Sequence, residues 1–132
     1  IFTGEVEDPR PYLAGADVLV APVLFGSGTR QKLVDYMALG KPIVSTTKGA
    51  EGIEMEDGVH FLRRDSVEDF SNAIVQLLSD TRLADLLGRQ ARDLARTSYS
   101  WSLQSAKLLG AYARASKKTQ QVTIRDRRLP AR

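Results

Sequence analysis

Short apolar runs alternate with a helical pattern in the first half of the chain. Residues 17–22 (DVLVAP) are a short apolar run, typical of strands that are buried on both faces, and residues 42–46 (PIVST) have the pattern of the next strand. Between them, apolar side chains recur at helical spacing over residues 30–39, and Gly40 followed by Pro42 ends that helix. The pattern therefore predicts a strand, a helix and a second strand in succession.

Two further stretches predict strands on either side of this unit. Residues 1–3 have the pattern of a strand remnant, and residues 59–62 that of a short strand after a polar loop. Strands that alternate with helices form parallel sheets. The fold class that we predict is α/β, a Rossmann-like doubly wound parallel sheet of about four strands with C-terminal helices.

Capping residues mark where the other helices begin. Asp8 is placed to cap a short helix whose first turn contains proline. Ser66, with Asp69 three positions later, approximates a capping box at the start of the next helix. Helical periodicity then continues over residues 81–97 and over about residues 101–116.

The basic residues are concentrated at the end of the chain. The net charge is +3, but residues 117–132 hold six basic side chains against one acidic side chain, which leaves residues 1–116 with a net charge of −2. We predict one domain at residues 1–116 and a basic, disordered tail at residues 117–132. Because the tail lacks interleaved aromatic residues and any nucleic-acid-binding signature, we expect no nucleic-acid partner.

The ends and the composition of the chain suggest its context. The chain begins with Ile1 and carries neither an initiator Met nor a signal-like segment, so we interpret it as part of a longer protein. No apolar run approaches the roughly 18 residues of a membrane span. The absence of cysteine excludes a disulfide scaffold and a thiolate metal site. We expect a cytoplasmic location, with peripheral contact to the inner face of a membrane as the alternative.

A glycine-rich loop joins the first internal strand to the helix that follows, where open α/β sheets bind their ligands. Gly26 and Gly28 permit sharp turns and leave room for a ligand beside the main chain. The free N–H groups at the start of the helix favour an anion. The residues predicted to contact a diphosphate are Gly26, Ser27, Gly28, Thr29, Arg30 and Lys32.

Asp35 lies one helical turn beyond Lys32. A carboxylate at this position can accept two hydrogen bonds from a vicinal diol such as ribose. The alternative is a solvated helix face on which Lys32 and Asp35 form an i,i+3 ion pair worth about 0.2–0.5 kcal/mol. The loop is neither a P-loop nor a G-x-G-x-x-G fingerprint, so its spacing alone leaves both interpretations open.

The run APVLFGSGTRQKLVDYMALGKPIVS, at residues 21–45, resembles the signature of retaining glycosyltransferases of the GT-B architecture. The flanking segments YLAGADV (12–18), GAEGI (49–53) and YSW (99–101) are similar to that family as well. The resemblance implies part of the C-terminal domain of a two-domain enzyme, the domain that binds a nucleotide-sugar donor. The N-terminal acceptor domain would then lie outside this chain.

The resemblance also implies roles for single residues. Asp35 stands where the family commonly has the second Glu of its E-x7-E motif, which is associated with the donor ribose. Ser27 stands at the position of the first Glu and cannot replace a carboxylate. The loop implied to approach the donor sugar or phosphate through backbone N–H groups consists of Gly49, Ala50, Glu51, Gly52 and Ile53.

We expect neither a metal ion nor a cofactor. GT-B enzymes do not in general need a bound metal, and the sole histidine, His60, lies in a predicted strand and is predicted to be structural. The nucleotide diphosphate sugar enters as a substrate.

Two functions remain open from the sequence. The first is the donor-binding portion of a hexosyltransferase of bacterial glycan biosynthesis that acts on a glycan, lipid or other acceptor and is inactive as an isolated chain. In that case Arg30, Lys32 and the helix N–H groups would stabilise the departing diphosphate. The alternative is a non-catalytic, orphan or truncated α/β module that forms homo-oligomers through exposed surfaces.

Overall fold

The computed structural model describes residues 1–28 and 30–126, with residues 117–126 as backbone only. The chain divides after Ser98 into two compact units. The first unit contains, in chain order, helix α1 (Arg10–Gly15), strand β1 (Leu19–Ala21), helix α2 (Gln31–Leu39), strands β2 (Ile43–Ser45) and β3 (Leu62–Arg63), and helices α3 (Val67–Ser79) and α4 (Thr81–Ser98).

The strands form a parallel sheet in the order β1-β2-β3. Leu19 of β1 lies opposite Ile43 of β2, and Val44 of β2 lies opposite Leu62 of β3. All three residues of β2 are buried, as expected for a parallel strand that is covered on both faces. The predicted α/β class, a parallel sheet followed by helices, is confirmed.

The sheet has three strands in the described part of the chain, where the sequence predicts about four. Residues 1–3 do not form a strand, and the side chains of Ile1 and Phe2 are exposed. A strand needs a neighbour to pair its backbone groups, and no described strand lies beside these residues. The apolar pattern alone was therefore an insufficient signal at the chain start.

The third strand begins at Leu62, later than the predicted start at Val59. Gly58, with a left-handed φ of +74°, opens a turn in which its N–H donates to the carbonyl of Phe61 at 2.8 Å. His60 lies in this turn, where its Nδ1 accepts the N–H of Glu56 at 3.0 Å. The histidine therefore stabilises a turn, in agreement with its predicted structural role, although it does not lie in a strand.

The predicted helix ends at Ser66 and Gly40 are confirmed, whereas the predicted start of α1 is not. Ser66 Oγ accepts the N–H of Asp69 at 3.0 Å and donates to the Asp69 carboxylate at 2.7 Å, which closes the start of α3. Gly40 ends α2 in the left-handed conformation, with φ of +69°. The predicted cap at Asp8 was wrong, because Pro9, with the helical dihedral angles φ −76° and ψ −16°, is the N-cap of α1 and has no side-chain cap hydrogen bond. Asp8 instead accepts the N–H of Arg10, the first residue of α1, at 3.0 Å.

The core lies between the sheet and the helices that follow it. Strand residues from β2 and β3 pack against apolar side chains of α3 and α4. The buried members of this cluster are Val44, Leu62, Ala73, Leu77, Ala84 and Leu87.

The second unit contains helix α5 (Trp101–Asp126). It continues beyond the predicted end near Ser116, into the stretch that was predicted to be disordered. Residues 117–126 contain neither glycine nor proline and are rich in lysine and glutamine, which favour helix. The remaining tail, residues 127–132, lies outside the described residues. Among the described residues, no helix is both long and apolar enough to cross a membrane.

Candidate functional site

Two loops leave the carboxyl ends of neighbouring strands and are joined by hydrogen bonds. The first loop (residues 22–30) follows β1, and the second loop (residues 46–58) follows β2. Thr46 Oγ1 donates to the carbonyl of Val23 in the first loop and accepts the N–H of Gly49 in the second at 2.9 Å. The structure thus brings together the two predicted groups of donor-binding residues at one edge of the sheet.

Gly49 packs directly on the ends of both strands. A Cβ atom at this position would lie 2.6 Å from the carbonyl oxygen of Ala21 and would also overlap Ser45 Oγ. Ser45 is itself buried, and its hydroxyl donates to the carbonyl of Ala21 at 3.2 Å. Glycine is therefore needed here for the close approach of the second loop to the sheet.

The first loop turns at its two glycines. Gly26 has a φ of +106° and Gly28 a φ of +92°, conformations that other residues rarely adopt. The sequence prediction of sharp turns at these positions is confirmed. Ser27 between them is exposed. Thr29, also predicted to contact a diphosphate, lies outside the described residues.

Arg30 folds its guanidinium group back over the first loop. Its Nη2 donates to the carbonyl of Phe25 at 3.4 Å and lies 3.0 Å from the position that a Cβ on Gly26 would occupy. Its Nε is buried and has no hydrogen-bond partner among the described residues. A buried donor without an acceptor is rare in folded proteins, and this distinguishes Arg30 from the other described arginines.

The start of α2 has no cap. Arg30 is the N-cap residue and its side chain makes no capping hydrogen bond, while the first turn contains no acidic residue. Leu33 N–H donates to the carbonyl of Arg30 at 2.9 Å. An uncapped helix start combined with a nearby guanidinium group favours an anionic ligand.

Lys32 and Asp35 both lie on α2 and are exposed. The salt bridges of the described residues do not include a Lys32–Asp35 pair, so the predicted alternative of an i,i+3 ion pair is not formed. Because Asp35 is exposed and not paired with Lys32, its carboxylate is accessible to a ligand. The next residue, Tyr36, is partly buried, and burial, with a smaller contribution from the Asp35 charge, raises the pKa of its phenol.

The second loop is held largely by its own backbone. The N–H groups of Gly49, Ala50 and Ile53 donate to Thr46 Oγ1, to the Thr46 carbonyl and to the Ala50 carbonyl, respectively. Three of the five loop N–H groups predicted to contact a donor are thus engaged within the loop. These bonds do not involve the N–H groups of Glu51 and Gly52.

Charge links the second loop to Arg30. Lys48 Nζ lies 2.7 Å from Glu51 Oε2. This hydrogen bond and the charge of Lys48 lower the pKa of Glu51, and the positive charge of Arg30 makes a smaller contribution in the same direction. The Arg30 guanidinium therefore contacts the first loop and acts on Glu51 of the second loop through its charge.

The sequence pattern did not identify three polar residues beyond the strand ends: Thr46 and Thr47 after β2, and Asp65 after β3. Thr46 is 4% exposed, and its hydroxyl bonds to both loops. Asp65, after β3, accepts the N–H and the hydroxyl of Thr47, each at 2.7 Å. These bonds lower the pKa of the Asp65 carboxyl. Two threonines directly after a buried strand were the available signal, because a ligand-facing loop begins there in parallel sheets.

The described residues contain no group of three or more His, Asp or Glu side chains arranged to hold a metal ion.

Comparison with known proteins relates this arrangement to a family. Residues 1–80 match the family model described as glycosyl transferases group 1. The chain is 33% identical over 119 residues to the lipopolysaccharide core biosynthesis glycosyltransferase LpsE of Rhizobium meliloti, and this alignment covers 79% of the chain and 34% of LpsE. The chain thus spans about a third of the length of this relative.

Solved structures share the fold. The C-terminal domain of the glycosyl transferase group 1 family protein LpcC from Francisella tularensis matches 76% of this chain and 52% of its own, with a TM-score of 0.67 and 18% identity. Anabaena HepE, solved in complex with UDP, matches 76% of this chain and 29% of its own, with a TM-score of 0.67 and 20% identity. By its family match and its Rossmann-like GT-B C-terminal fold, the chain belongs to the glycosyl transferases group 1 family.

Proposed function

We propose that this chain is the donor-binding part of a hexosyltransferase and that it binds the nucleoside diphosphate of a sugar donor where the two loops meet. The observation that carries the proposal is the Arg30 side chain, whose buried Nε lacks a partner beside the uncapped start of α2. The complex of the structural neighbour HepE with UDP supports the ligand class.

The diphosphate would lie between the start of α2 and Arg30. A buried donor that is left without an acceptor costs about 1–3 kcal/mol, and a phosphate oxygen at this point removes that cost. The helix N–H groups and the guanidinium would both donate to an anion, and hydrogen bonds between ionised partners are about twice as strong as neutral ones. Lys32, exposed in the first turn of α2, adds positive charge.

The remaining parts of the donor are assigned to two other positions. Asp35, exposed on α2, would accept hydrogen bonds from the ribose diol. The N–H groups of Glu51 and Gly52 in the second loop would contact the sugar or the distal phosphate. Both positions serve to bind the donor, and the contribution of this chain to catalysis would be electrostatic stabilisation of the diphosphate as the glycosidic bond breaks.

Arg30→Ala is expected to weaken the binding of UDP by about 10- to 100-fold, because it removes a charged donor from the diphosphate. The dissociation constant is measured by isothermal titration calorimetry of the full chain. Arg82→Ala, which removes an exposed arginine from α4, serves as the matched control and should bind like the unmodified chain. Absence of saturable UDP binding to the unmodified chain at millimolar nucleotide would contradict the proposal.

Asp35→Asn is expected to weaken UDP binding by about tenfold, because a neutral amide is a poorer acceptor for the ribose hydroxyls. The same substitution should have little effect on 2′-deoxy-UDP, which lacks one of the two hydroxyls. Calorimetry with both nucleotides gives the comparison, and Asp85→Asn on α4 controls for the change of charge. An equal loss for both nucleotides would show that Asp35 does not bind the ribose diol.

A further inference from the structure

Thr46 occupies the point at which the two loops meet. We propose that Thr46 is a positioning residue, whose hydroxyl holds the first and second loops at a fixed spacing so that Arg30 and the N–H groups of Glu51 and Gly52 face one ligand. The ligand in this inference is the diphosphate of the proposed function. We call the hydrogen bonds from the Thr46 hydroxyl to Val23 and Gly49 the Thr46 clamp. The clamp is a property of the free chain and can be tested without a ligand.

The hydroxyl of Thr46 uses both its donor and its acceptor capacity. It donates to the carbonyl of Val23 in the first loop, and it accepts the N–H of Gly49 in the second loop at 2.9 Å. The backbone of Thr46 adds two hydrogen bonds. Its N–H donates to the Ala21 carbonyl at 3.4 Å, and its carbonyl accepts the N–H of Ala50 at 3.0 Å. One nearly buried residue thus bonds both loops to the sheet and to each other.

The two hydrogen-bond partners of the Thr46 hydroxyl lie close in sequence to the proposed ligand contacts. On one side, Val23 is two residues from Phe25, whose carbonyl accepts the Arg30 guanidinium at 3.4 Å. On the other side, Gly49 is two residues from Glu51, whose pKa is lowered in part by the charge of Arg30. We therefore expect a change in the spacing at Thr46 to displace Arg30 relative to the second loop.

Neighbouring Ser45 has a different part in the structure. Its buried hydroxyl donates to the carbonyls of Ala21 and Thr46, at 3.2 and 3.1 Å, so both of its acceptors are backbone atoms at the strand ends. Its hydroxyl bonds do not reach Val23 or Gly49. The contacts that join the two loops belong to the hydroxyl of Thr46.

Thr46→Val tests the clamp, because valine retains the shape of threonine and removes the hydroxyl. Thr46→Ser retains the hydroxyl. Ile74→Val, at a partly buried position on α3, is the control for a mild loss of stability remote from the loops. Two quantities are measured on the full chain: the hydrogen-exchange rate of the Gly49 N–H by NMR without ligand, and the dissociation constant for UDP at a temperature where every variant is folded.

We expect Thr46→Val to speed exchange of the Gly49 N–H and to weaken UDP binding, each by about tenfold relative to Ile74→Val. Thr46→Ser should restore both quantities to within about threefold of the unmodified chain. A residue with only a structural role would change binding no more than the Ile74→Val control does.

Failure of this inference is distinguishable from failure of the proposed function. If the unmodified chain does not bind UDP, the proposed function fails, and the Gly49 exchange rate still decides the clamp. Equal Gly49 exchange in Thr46→Val and Ile74→Val overturns the inference. If Thr46→Val does not fold, the unmodified chain provides the test: a slowly exchanging Thr46 hydroxyl proton with a nuclear Overhauser effect to the Gly49 N–H supports the clamp, and a rapidly exchanging hydroxyl refutes it.

Discussion

Gly88→Ala is expected to destabilise the first unit by about 3 kcal/mol, the upper range for overpacking of a buried site. Within a helix, replacing glycine with alanine ordinarily stabilises by about 0.5–1 kcal/mol, so the expected sign is reversed. The reason is the buried position of Gly88 in α4. A Cβ atom there would overlap the carbonyl oxygen of Gly40 and lie 3.0 Å from its carbonyl carbon. These are backbone atoms at the end of α2, and they cannot move without displacing that helix.

Urea denaturation followed by circular dichroism measures this change in the free energy of unfolding. Gly110→Ala is the matched control, since Gly110 is also helical but lies in α5. The nearest atom to a Cβ at Gly110 is Arg114 Nη1, at 3.4 Å, the end of a flexible side chain. We expect this control to be neutral or slightly stabilising. A Gly88→Ala variant as stable as the unmodified chain would contradict the close packing of α2 against α4.

Gly49→Ala is expected to destabilise the chain by about 2–3 kcal/mol and to abolish UDP binding. The added methyl group would lie 2.6 Å from the Ala21 carbonyl oxygen and overlap Ser45 Oγ. Relief of this overlap requires the second loop to move away from the strand ends. The hydrogen bond from Gly49 N–H to Thr46 Oγ1 would then be lost, together with the spacing between the loops.

The effect of Gly49→Ala is measured by urea denaturation and by UDP calorimetry under conditions where the variant remains folded. Gly15→Ala serves as the control, because a Cβ at Gly15 meets no atom within 4 Å and its φ is not left-handed. Stability and UDP affinity should both be unchanged in the control. If Gly49→Ala retained full UDP affinity, the second loop would not be part of the binding site.

The local elements were predictable wherever one strong signal determines the backbone. Helix α2 ends at Leu39 as predicted, because Gly40 adopts the left-handed conformation and Pro42 prevents further helix. The start of α3 follows from the Ser66 cap in the same way. The weak signals failed: residues 1–3 lack a partner strand, and the turn at Gly58 delays β3. A strand depends on a neighbour, whereas a capped helix start depends mainly on residues close in sequence.

The candidate site was predictable in part. Gly26 and Gly28 were identified because left-handed turns demand glycine, and Arg30 because a cation at a helix start is unusual. Thr46 was not identified, since threonine after a buried strand is common and its importance lies in its contacts. Those contacts reach Val23 and Gly49, which are brought to Thr46 by the parallel pairing of β1 with β2.

The amino-acid sequence by itself determined the family, the parallel α/β class and the turns at the glycines of the first loop. The family follows from the resemblance of residues 21–45 to a known signature. The fold class and the turns follow from periodicity, capping and the steric freedom of glycine, which act over a few neighbouring residues. Only the tertiary structure decided that Gly88 contacts Gly40 and that Thr46 joins the two loops. Each of these depends on the approach through space of residues far apart in the chain, which local backbone preferences do not specify.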